Sequence, residues 1–544
     1  MLRRHFLQLS STAILATLFN KLTYIDTAGY SSVNMPDEVW AQLNNQWVKL
    51  AVNTGRSFSY QDIQVAFKNK NGGQGVFIQS PSLELGGIRL KWNYKTSANG
   101  KILGDHWERS YGDLAWKSPE PATKNPWYVL LNDSKQTACF GVKTGANTIC
   151  WWNVNPNTIE LTLDCHSGGV GVKLGQRKLF AATIVTMLGK AEENTYQTTT
   201  RFCKLMCDKP LLPKQPVYGI NDWYVAYGNN SAKSIKEQTA VMSELVSSTT
   251  NRPFSVIDDG WQVADDFSKA NDKFRDMKQV ADDIKKLGMK AGLWTRPLIA
   301  KKSDSLTLLA PKIAGRANTD EIILDPTIPE NLARVKHNIS LYNQWGYDLV
   351  KHDYSTYDIF GKWGFRMTDA FTQAGWKFND QSKTNAEIIN TLYQTIKDSA
   401  GKMSVIGCNT ISHLSAGMFD INRIGDDTSG KEWARTKKMG VNTLGFRLPQ
   451  HQTFYAADGD CVGLTKDVPW EKNRQWMQLL AESGSPLFIS AQLDFLGTEQ
   501  KNAIKLAFAQ AATLQPTGEP LDWLTNQWPS KWKLNNRIVD FNWD

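Results

Sequence analysis

Trp345-Gly346-Tyr347-Asp348-Leu349-Val350-Lys351-His352-Asp353-Tyr354 decides how this chain is read. The apolar run up to Val350 reads as a short buried parallel strand. Lys351 and Asp353 are two residues apart, so on a strand they point to one face while His352 points to the other. At the C-terminal end of a barrel strand that face is the mouth of an active site.

Similar units surround this one. Short apolar runs alternate with amphipathic stretches of helical length at 234–247, 274–287, 329–344, 386–400 and 471–483. That rhythm predicts parallel βα units. The strand ends are Tyr218 to Trp223, Ser255 to Trp261, Ala291 to Pro297, the Asp353 strand, Ser404 to Asn409, Asn422 to Asp427, Phe454 to Asp460 and Pro486 to Ser490. Eight such units predict a (β/α)8 TIM barrel.

Before this region, from about residue 30 to 207, the pattern has period two, as in Thr158-Ile159-Glu160-Leu161-Thr162-Leu163. Asn- and Gly-rich turns separate the runs, which predicts an N-terminal β-sandwich. Gly168-Gly169-Val170-Gly171 lacks a following helix signal and reads as a β-turn, not a phosphate loop. The proline-rich stretch from Lys209 to Pro216 marks the joint between the two parts. The expected organisation is an export signal at 1–28, the sandwich at 29–212, the barrel at 213–515 and a short C-terminal β segment at 516–544. The signal rests on Arg3-Arg4-His5-Phe6-Leu7 followed by a short apolar stretch, which looks like a twin-arginine leader. It implies an exported bacterial protein, periplasmic or extracellular, with no stable membrane insertion once the signal is removed.

The 544 residues suit two or three domains with a sizeable core. The net charge of +9 is not gathered into basic runs, which argues against a nucleic-acid partner. Seven cysteines in no paired spacing indicate neither a disulfide scaffold nor a zinc site. The 21 tryptophans fit either core packing or a ligand with flat apolar faces and polar edges.

Carboxylates ring the expected mouth: Asp258 and Asp259, Asp353, Asp426 and Asp427, Asp458 and Asp460. Such a ring suits a divalent metal or glycosidic-bond chemistry. A metal would favour histidines at the strand ends, and only His352 is near, on the wrong face. Glycoside hydrolysis needs two carboxylates with separate roles among hydrogen-bonding and aromatic groups.

The motifs then show a resemblance. Val256-Ile257-Asp258-Asp259-Gly260-Trp261, Gly292-Leu293-Trp294, Lys351-His352-Asp353, Gly407-Cys408, Arg423-Ile424-Gly425-Asp426-Asp427-Thr428 and Asp458-Gly459-Asp460-Cys461 follow one another. They resemble, in the same order, the motifs of glycoside hydrolase family 36, whose clan includes families 27 and 31: α-galactosidases and their relatives. The resemblance implies a retaining, exo-acting hydrolase of terminal α-galactosides that needs no cofactor and no metal. Asp353 would be the nucleophile and Asp427 the general acid/base; Asp426 is the tempting alternative, but the matching aspartate is the fourth after the arginine. Asp258, Asp259, Trp294, Lys351, Cys408 and Arg423 would bind the sugar, with Trp223 a further candidate. Lys351 and Arg423 are expected to keep Asp353 ionised. Burial or the Asp353 charge is expected to raise the pKa of Asp427 so that it rests protonated.

The same resemblance leaves rivals open. They are α-N-acetylgalactosaminidase, β-L-arabinopyranosidase, a raffinose-synthase-like galactosyl transferase and, outside enzymes, a carbohydrate-binding protein. The expected partner is an α-galactoside oligosaccharide or glycoconjugate. In the family a loop of the N-terminal domain reaches over the mouth, and Trp107 or Trp116 in the polar, aromatic stretch from Asp105 to Trp116 is expected to do so. Two departures stand out: His352 as the middle residue of its motif, and a nearly absent C-terminal β-domain, which fits either a reduced member or a truncated chain.

Overall fold

The structure, a computed structural model, describes residues 23–25, 30–70, 72–248, 250–301, 308–309, 321–368 and 370–544. The expected export signal lies outside them apart from Thr23–Ile25. Among the described residues no helix is long and apolar enough to cross a membrane.

The chain forms two compact units. The first holds the described residues up to Asp105, Lys117–Met206 and Gln381–Glu387; the second holds His106–Trp116, Cys207–Asp380 and Ile388–Asp544. The boundary after Met206 falls just before the proline-rich joint. The unexpected part is His106–Trp116, which the sequence embeds in the first unit and the fold assigns to the second.

The first unit carries a ten-stranded and a six-stranded sheet, both antiparallel. Thr158–Asp164 shows why. Ile159, Leu161 and Leu163 are buried while Thr158 and Glu160 are half-buried, so one face meets the core. Leu161 lies opposite Leu90 and Ile159 opposite Trp92 on the neighbouring strand. Phe140 of the larger sheet meets Trp152 of the smaller with ring centroids 6.0 Å apart, so the inner faces pack on each other. Burying one such ring contributes roughly 2–3 kcal/mol. Gly168 turns the chain between the paired strands His166–Ser167 and Val170–Gly171, as the β-turn reading expects.

The second unit is built on a nine-stranded parallel sheet. Its pieces are β1 (Tyr218–Asn221), β2 (Phe254–Ile257), β3 (Lys290–Thr295), β4 (Leu349–His352), β5 (Ser404–Gly407), β6 (Ile421–Arg423), β7 (Ala456–Asp458), β8 (Cys461–Leu464) and β9 (Leu487–Ala491). Pairing runs in sequence order from β1 to β7, and β9 pairs with both β8 and β1. Only Gly459 and Asp460 separate β7 from β8, and Asp460 sits in the left-handed region at φ 75°. Gly219 is required where β1 meets β2: its φ is 156°, and a Cβ there would lie 2.0 Å from the Phe254 carbonyl oxygen.

Helices α1 (Ala232–Ser243), α2 (Met277–Lys286), α3 (Pro329–Gln344), α4 (Asn385–Ala400), α5 (Trp470–Ser483) and α6 (Thr498–Ala511) run between or after the strands. The first five match the periodic stretches to within a few residues. Their starts have local causes: Ser231 makes a capping box for α1, Asp276 accepts from Gln279 N at the head of α2, and Pro329 opens α3.

The last residues form a three-stranded sheet of Glu519–Pro520, Lys531–Leu534 and Arg537–Asp540, which belongs to the second unit. Trp532 and Trp543 are buried there, and the Trp433 indole N–H donates to the Trp543 carbonyl at 2.8 Å. All seven cysteines are buried.

Candidate active site

Strand parity sets the layers of the site. Val256, Leu349, Ile406, Ile421, Ala456 and Phe488 share one buried apolar cluster on the inner face of the parallel sheet. Two residues further along these strands, toward their carboxyl ends, the side chain on that face becomes polar or ionisable. Val256 leads to Asp258, Leu349 to Lys351 and then Asp353, Ile406 to Cys408, Ile421 to Arg423 and Ala456 to Asp458. His352 points outward, as its parity requires, and packs edge-on against Tyr393 and Phe419 at 5.7 and 5.5 Å.

Asp353 is held by three N–H donors. The Trp294 indole donates to Oδ2 at 3.1 Å. The backbone N–H groups of Tyr354 and Asn409 donate to Oδ1 at 2.7 and 3.1 Å. Tyr354 adopts φ 65°, a left-handed conformation rare for a bulky residue, and this turn aims its N–H back at the carboxylate. The ring of Tyr354 is fixed by the Arg296 guanidinium 4.4 Å from its centroid, and Arg296 is itself paired with buried Asp358 at 2.6 Å.

Lys351 does not pair with Asp353. Its Nζ lies 2.6 Å from Asp258 Oδ2, which also accepts from Asn221 Nδ2 at 2.7 Å. Burial works against the Lys351 charge, but the Asp258 carboxylate overrides it and holds the ammonium well above its ordinary value. The direct stabilisation of the Asp353 carboxylate therefore comes from neutral N–H groups, not from the expected lysine. Arg423 is likewise engaged elsewhere. Asp258 is braced in turn by Asp222, whose Oδ1 accepts the Asp258 N–H at 2.7 Å. Burial pushes Asp222 up to about 7. Asp259 is half-buried and accepts from Gln262 Nε2 at 2.7 Å; burial, with the charges of Asp258 and Asp353, raises its pKa.

Arg423 spans the other side of the site. Its Nη2 lies 3.0 Å from Asp427 Oδ1 and its Nη1 lies 2.9 Å from Asp460 Oδ1. Asp460 also accepts from Thr428 N at 2.8 Å and from the Tyr224 hydroxyl. Asp458 is buried and accepts the Asp460 N–H at 2.9 Å, and burial lifts it to about 6. These two aspartates hold loops and Arg423. Cys408 Sγ sits 3.8 Å from Nη1 of both Arg423 and Arg109. Trp223 is half-buried, its ring 5.6 Å from that of Tyr227.

Asp427 corrects one expectation. Its side chain is 38% exposed. Burial pushes its pKa up, but Arg423, Arg109 and Lys351 outweigh burial and bring the carboxyl down to about 2. It rests ionised among cations, not protonated. Asp426 is gripped by Arg109 at 2.7 Å and Arg435 at 2.8 Å, so it is a structural ion-pair partner.

The segment from Asp105 to Trp116 corrects another. Trp107 and Trp116 are buried packing residues, against Phe371 at 5.7 Å and Trp523 at 5.5 Å. The residue of that segment that meets the catalytic candidates is Arg109, with Nη1 3.8 Å from Asp427 Oδ1. Arg109, Asn409, Tyr354 and Asp222 are the site residues that sequence reasoning passed over.

Among the described residues no cluster of three or more His, Cys, Asp or Glu side chains could hold a metal ion. A separate small pocket lies at the amino ends of the strands, lined by residues that include Val217, His451 and Pro486; no candidate site residue lines it.

No family model matches the chain, and no curated protein matches it in sequence. Solved structures do. An α-galactosidase from Thermus thermophilus in complex with p-nitrophenyl α-D-galactopyranoside is 18% identical with a TM-score of 0.61, covering 88% of this chain and 98% of that one. A family 36 α-galactosidase from Geobacillus stearothermophilus in complex with 1-deoxygalactonojirimycin is 12% identical with a TM-score of 0.59, covering 91% and 79%. An α-galactosidase from Lactobacillus brevis is 13% identical with a TM-score of 0.57, covering 87% and 72%. The chain thus has the fold of family 36 α-galactosidases.

Proposed function

We propose that this chain is a retaining, exo-acting glycoside hydrolase that removes terminal α-galactosyl residues. The observation that carries the reading is the pairing of two differently held carboxylates at one end of the parallel sheet. Asp353 is fixed by three neutral N–H donors; Asp427 is half-exposed and ion-paired to Arg423. The fold shared with α-galactosidases supports it.

In this reading the parallel sheet is a (β/α)8 barrel, with the broken β7–β8 strand as its seventh member, and the two antiparallel sheets are an N-terminal β-sandwich. Asp353 attacks the anomeric carbon while Asp427 delivers a proton to the departing glycosidic oxygen, leaving a covalent galactosyl ester on Asp353. Asp427 then takes a proton from water, and the hydroxide equivalent breaks the ester. The electrostatics suit the second step better than the first: forming the ester removes the Asp353 charge, which leaves Asp427 more readily ionised and ready as a base. The first step needs Asp427 to gain a proton against three cations, so turnover of poor leaving groups is favoured at acidic pH.

Asp258 and Asp259 accept from ring hydroxyls, Trp294 walls the ring, and Lys351, Cys408 and Arg423 contact its remaining edge, with Trp223 further out. Acceptor-only carboxylates discriminate by the direction of a hydroxyl, and the tandem pair favours the axial C4 hydroxyl of galactose. No cofactor enters. The leader-like N-terminus supports export from a bacterium.

A panel of aryl glycosides tests the reading. The α-galactoside should be turned over in preference to the α-N-acetylgalactosaminide, the β-L-arabinopyranoside and the β-galactoside. Preference for one of those others reassigns the substrate, transfer to an added sugar in place of water reassigns the reaction, and binding without turnover of any of them defeats the enzymatic reading.

A further inference from the structure

Glu108 is wholly buried, and every oxygen it carries is taken. Its carboxylate accepts from Gly364 N at 2.8 Å, from Asn409 Nδ2 at 2.5 Å and from the Tyr111 hydroxyl. Its carbonyl accepts from Ser412 Oγ at 2.9 Å. Two residues on, the Ser110 N–H donates to the Ile424 carbonyl and the Ser110 carbonyl accepts the Asp426 N–H, each at 2.9 Å. Gly112, at φ 70°, lies so close to the Lys438 carbonyl that a Cβ would stand 2.1 Å from it. Residues 108–112 are thus pinned beside the loop that carries Asp426 and Asp427.

Arg109 sits inside this pinned stretch. Its guanidinium reaches Asp426 Oδ1 at 2.7 Å, Asp427 Oδ1 at 3.8 Å and Cys408 Sγ at 3.8 Å, and its Cζ lies 5.4 Å from the centroid of Trp363. Holding the loop does not explain it, since Arg435 already pairs with Asp426 and Arg423 with Asp427. A planar fork shared between two adjacent carboxylates does something a single pair cannot: it fixes the direction of Asp427 and adds a second permanent charge beside it.

We propose that Arg109, anchored through Glu108, is a positioning residue for the acid/base carboxylate Asp427 and sets the pH range in which that carboxylate holds its proton. This rests on the hydrolase reading above. The groups that face Asp427 are Arg423 at the end of β6, Lys351 in β4, Arg109, the hydroxyls of Tyr224 and Tyr227 after β1, Tyr354 after β4, Asp426 beside it and Asp460 after β7. Of the three cations, Lys351 is paired with Asp258 and Arg423 is shared with Asp460. Arg109 is the one whose removal leaves those pairs intact.

The test compares Arg109→Met and Arg109→Lys with the unaltered full chain. The alkaline limb of kcat/KM is measured on an alkyl α-galactoside, whose departure needs the acid, and on a dinitrophenyl α-galactoside, which departs without it. Removing a cation within about 4 Å should raise that limb by about one pH unit for the alkyl substrate in Arg109→Met. The dinitrophenyl profile should keep its limb. Lysine cannot bridge both carboxylates, so Arg109→Lys should shift the alkyl limb in the same direction by less. Equal losses on both substrates with unmoved limbs overturn the proposal, and an unmoved limb in a folded Arg109→Lys does so even where Arg109→Met fails to fold. Carboxyl-labelled aspartate NMR, with Asp427→Asn for assignment, separates this from the hydrolase reading. Asp427 should titrate higher in the Arg109 variants whether or not the chain turns over galactosides, and an unchanged titration refutes the role.

Discussion

The Trp294 indole N–H donates to Asp353 Oδ2 at 3.1 Å, on the oxygen that the backbone donors leave free. β3 and β4 set this contact, because Trp294 lies opposite Lys351 in their parallel register. Trp294→Phe keeps a ring in place and deletes the donor. A hydrogen bond to an ionised group contributes about 1.5–3 kcal/mol, so kcat/KM for an aryl α-galactoside should fall about 10- to 100-fold. Unchanged kinetics in the folded variant would show that the indole serves packing alone.

Among the described residues, the partner that touches the Asp427 carboxylate at hydrogen-bond distance is Arg423, its Nη2 at 3.0 Å. Asp427→Asn leaves that contact geometrically possible but removes both the proton and the base. Turnover of alkyl α-galactosides should drop about 10²- to 10⁴-fold, the usual scale of general acid–base help. Dinitrophenyl α-galactoside should still form the ester quickly and then stall, seen as a burst. An equal loss on both leaving groups with no burst would remove Asp427 from the acid role.

Lys351 and Asp258 form a buried pair at 2.6 Å, with side chains 9% and 4% exposed. Removing one partner strands the other charge in the core. Lys351→Met should therefore cost about 3–5 kcal/mol of stability by denaturant unfolding, beyond any effect on activity. The double variant Lys351→Met/Asp258→Asn should recover much of that loss. Equal stability of single and double variants would mean that the charge is compensated by other groups.

Most of this architecture could be read before the structure, and the parts that could not share a cause. The strand ends were legible because Val256/Asp258, Leu349/Lys351/Asp353 and Ile421/Arg423 repeat an apolar-then-polar step at the strand period. Asp427 was legible as a position but not as a charge state, since that depends on how Arg423, Arg109 and Lys351 converge on it in space, and only Arg423 is near it in sequence. The stretch around Trp107 and Trp116 stands out in the sequence through its aromatic residues. The indoles pack on Phe371 and Trp523, while the arginine between them faces the site. Asn409 and Tyr354 act through backbone N–H groups, which leave no side-chain signal in a sequence.

His352 offers a test of stability against pH. Its imidazole is fully buried between Tyr393 and Phe419, neither ring nitrogen has a hydrogen-bond partner among the described residues, and burial lowers its pKa from 6.5 to about 3. The unfolded chain takes up this proton below pH 6.5 while the folded chain refuses it down to about 3. The folded state therefore loses stability as pH falls through that window, by at most about 1.4 kcal/mol per pH unit for this group. His451, lowered to about 4 by burial, adds in the upper part of the window. His352→Phe should flatten the fall in unfolding free energy between pH 6.5 and 4.5. A slope as steep as that of the unaltered chain would assign the acid sensitivity to other groups.

The nucleophilic role of Asp353 is tested most directly by chemical rescue. Asp353→Gly removes the carboxylate and leaves room for a small anion at the anomeric carbon. With an aryl α-galactoside the variant should be inactive alone and should recover turnover with added azide, releasing β-galactosyl azide, whose anomeric configuration is inverted. Hydrolysis by Asp353→Gly at the unaltered rate, or an azide product of α configuration, would contradict the assignment.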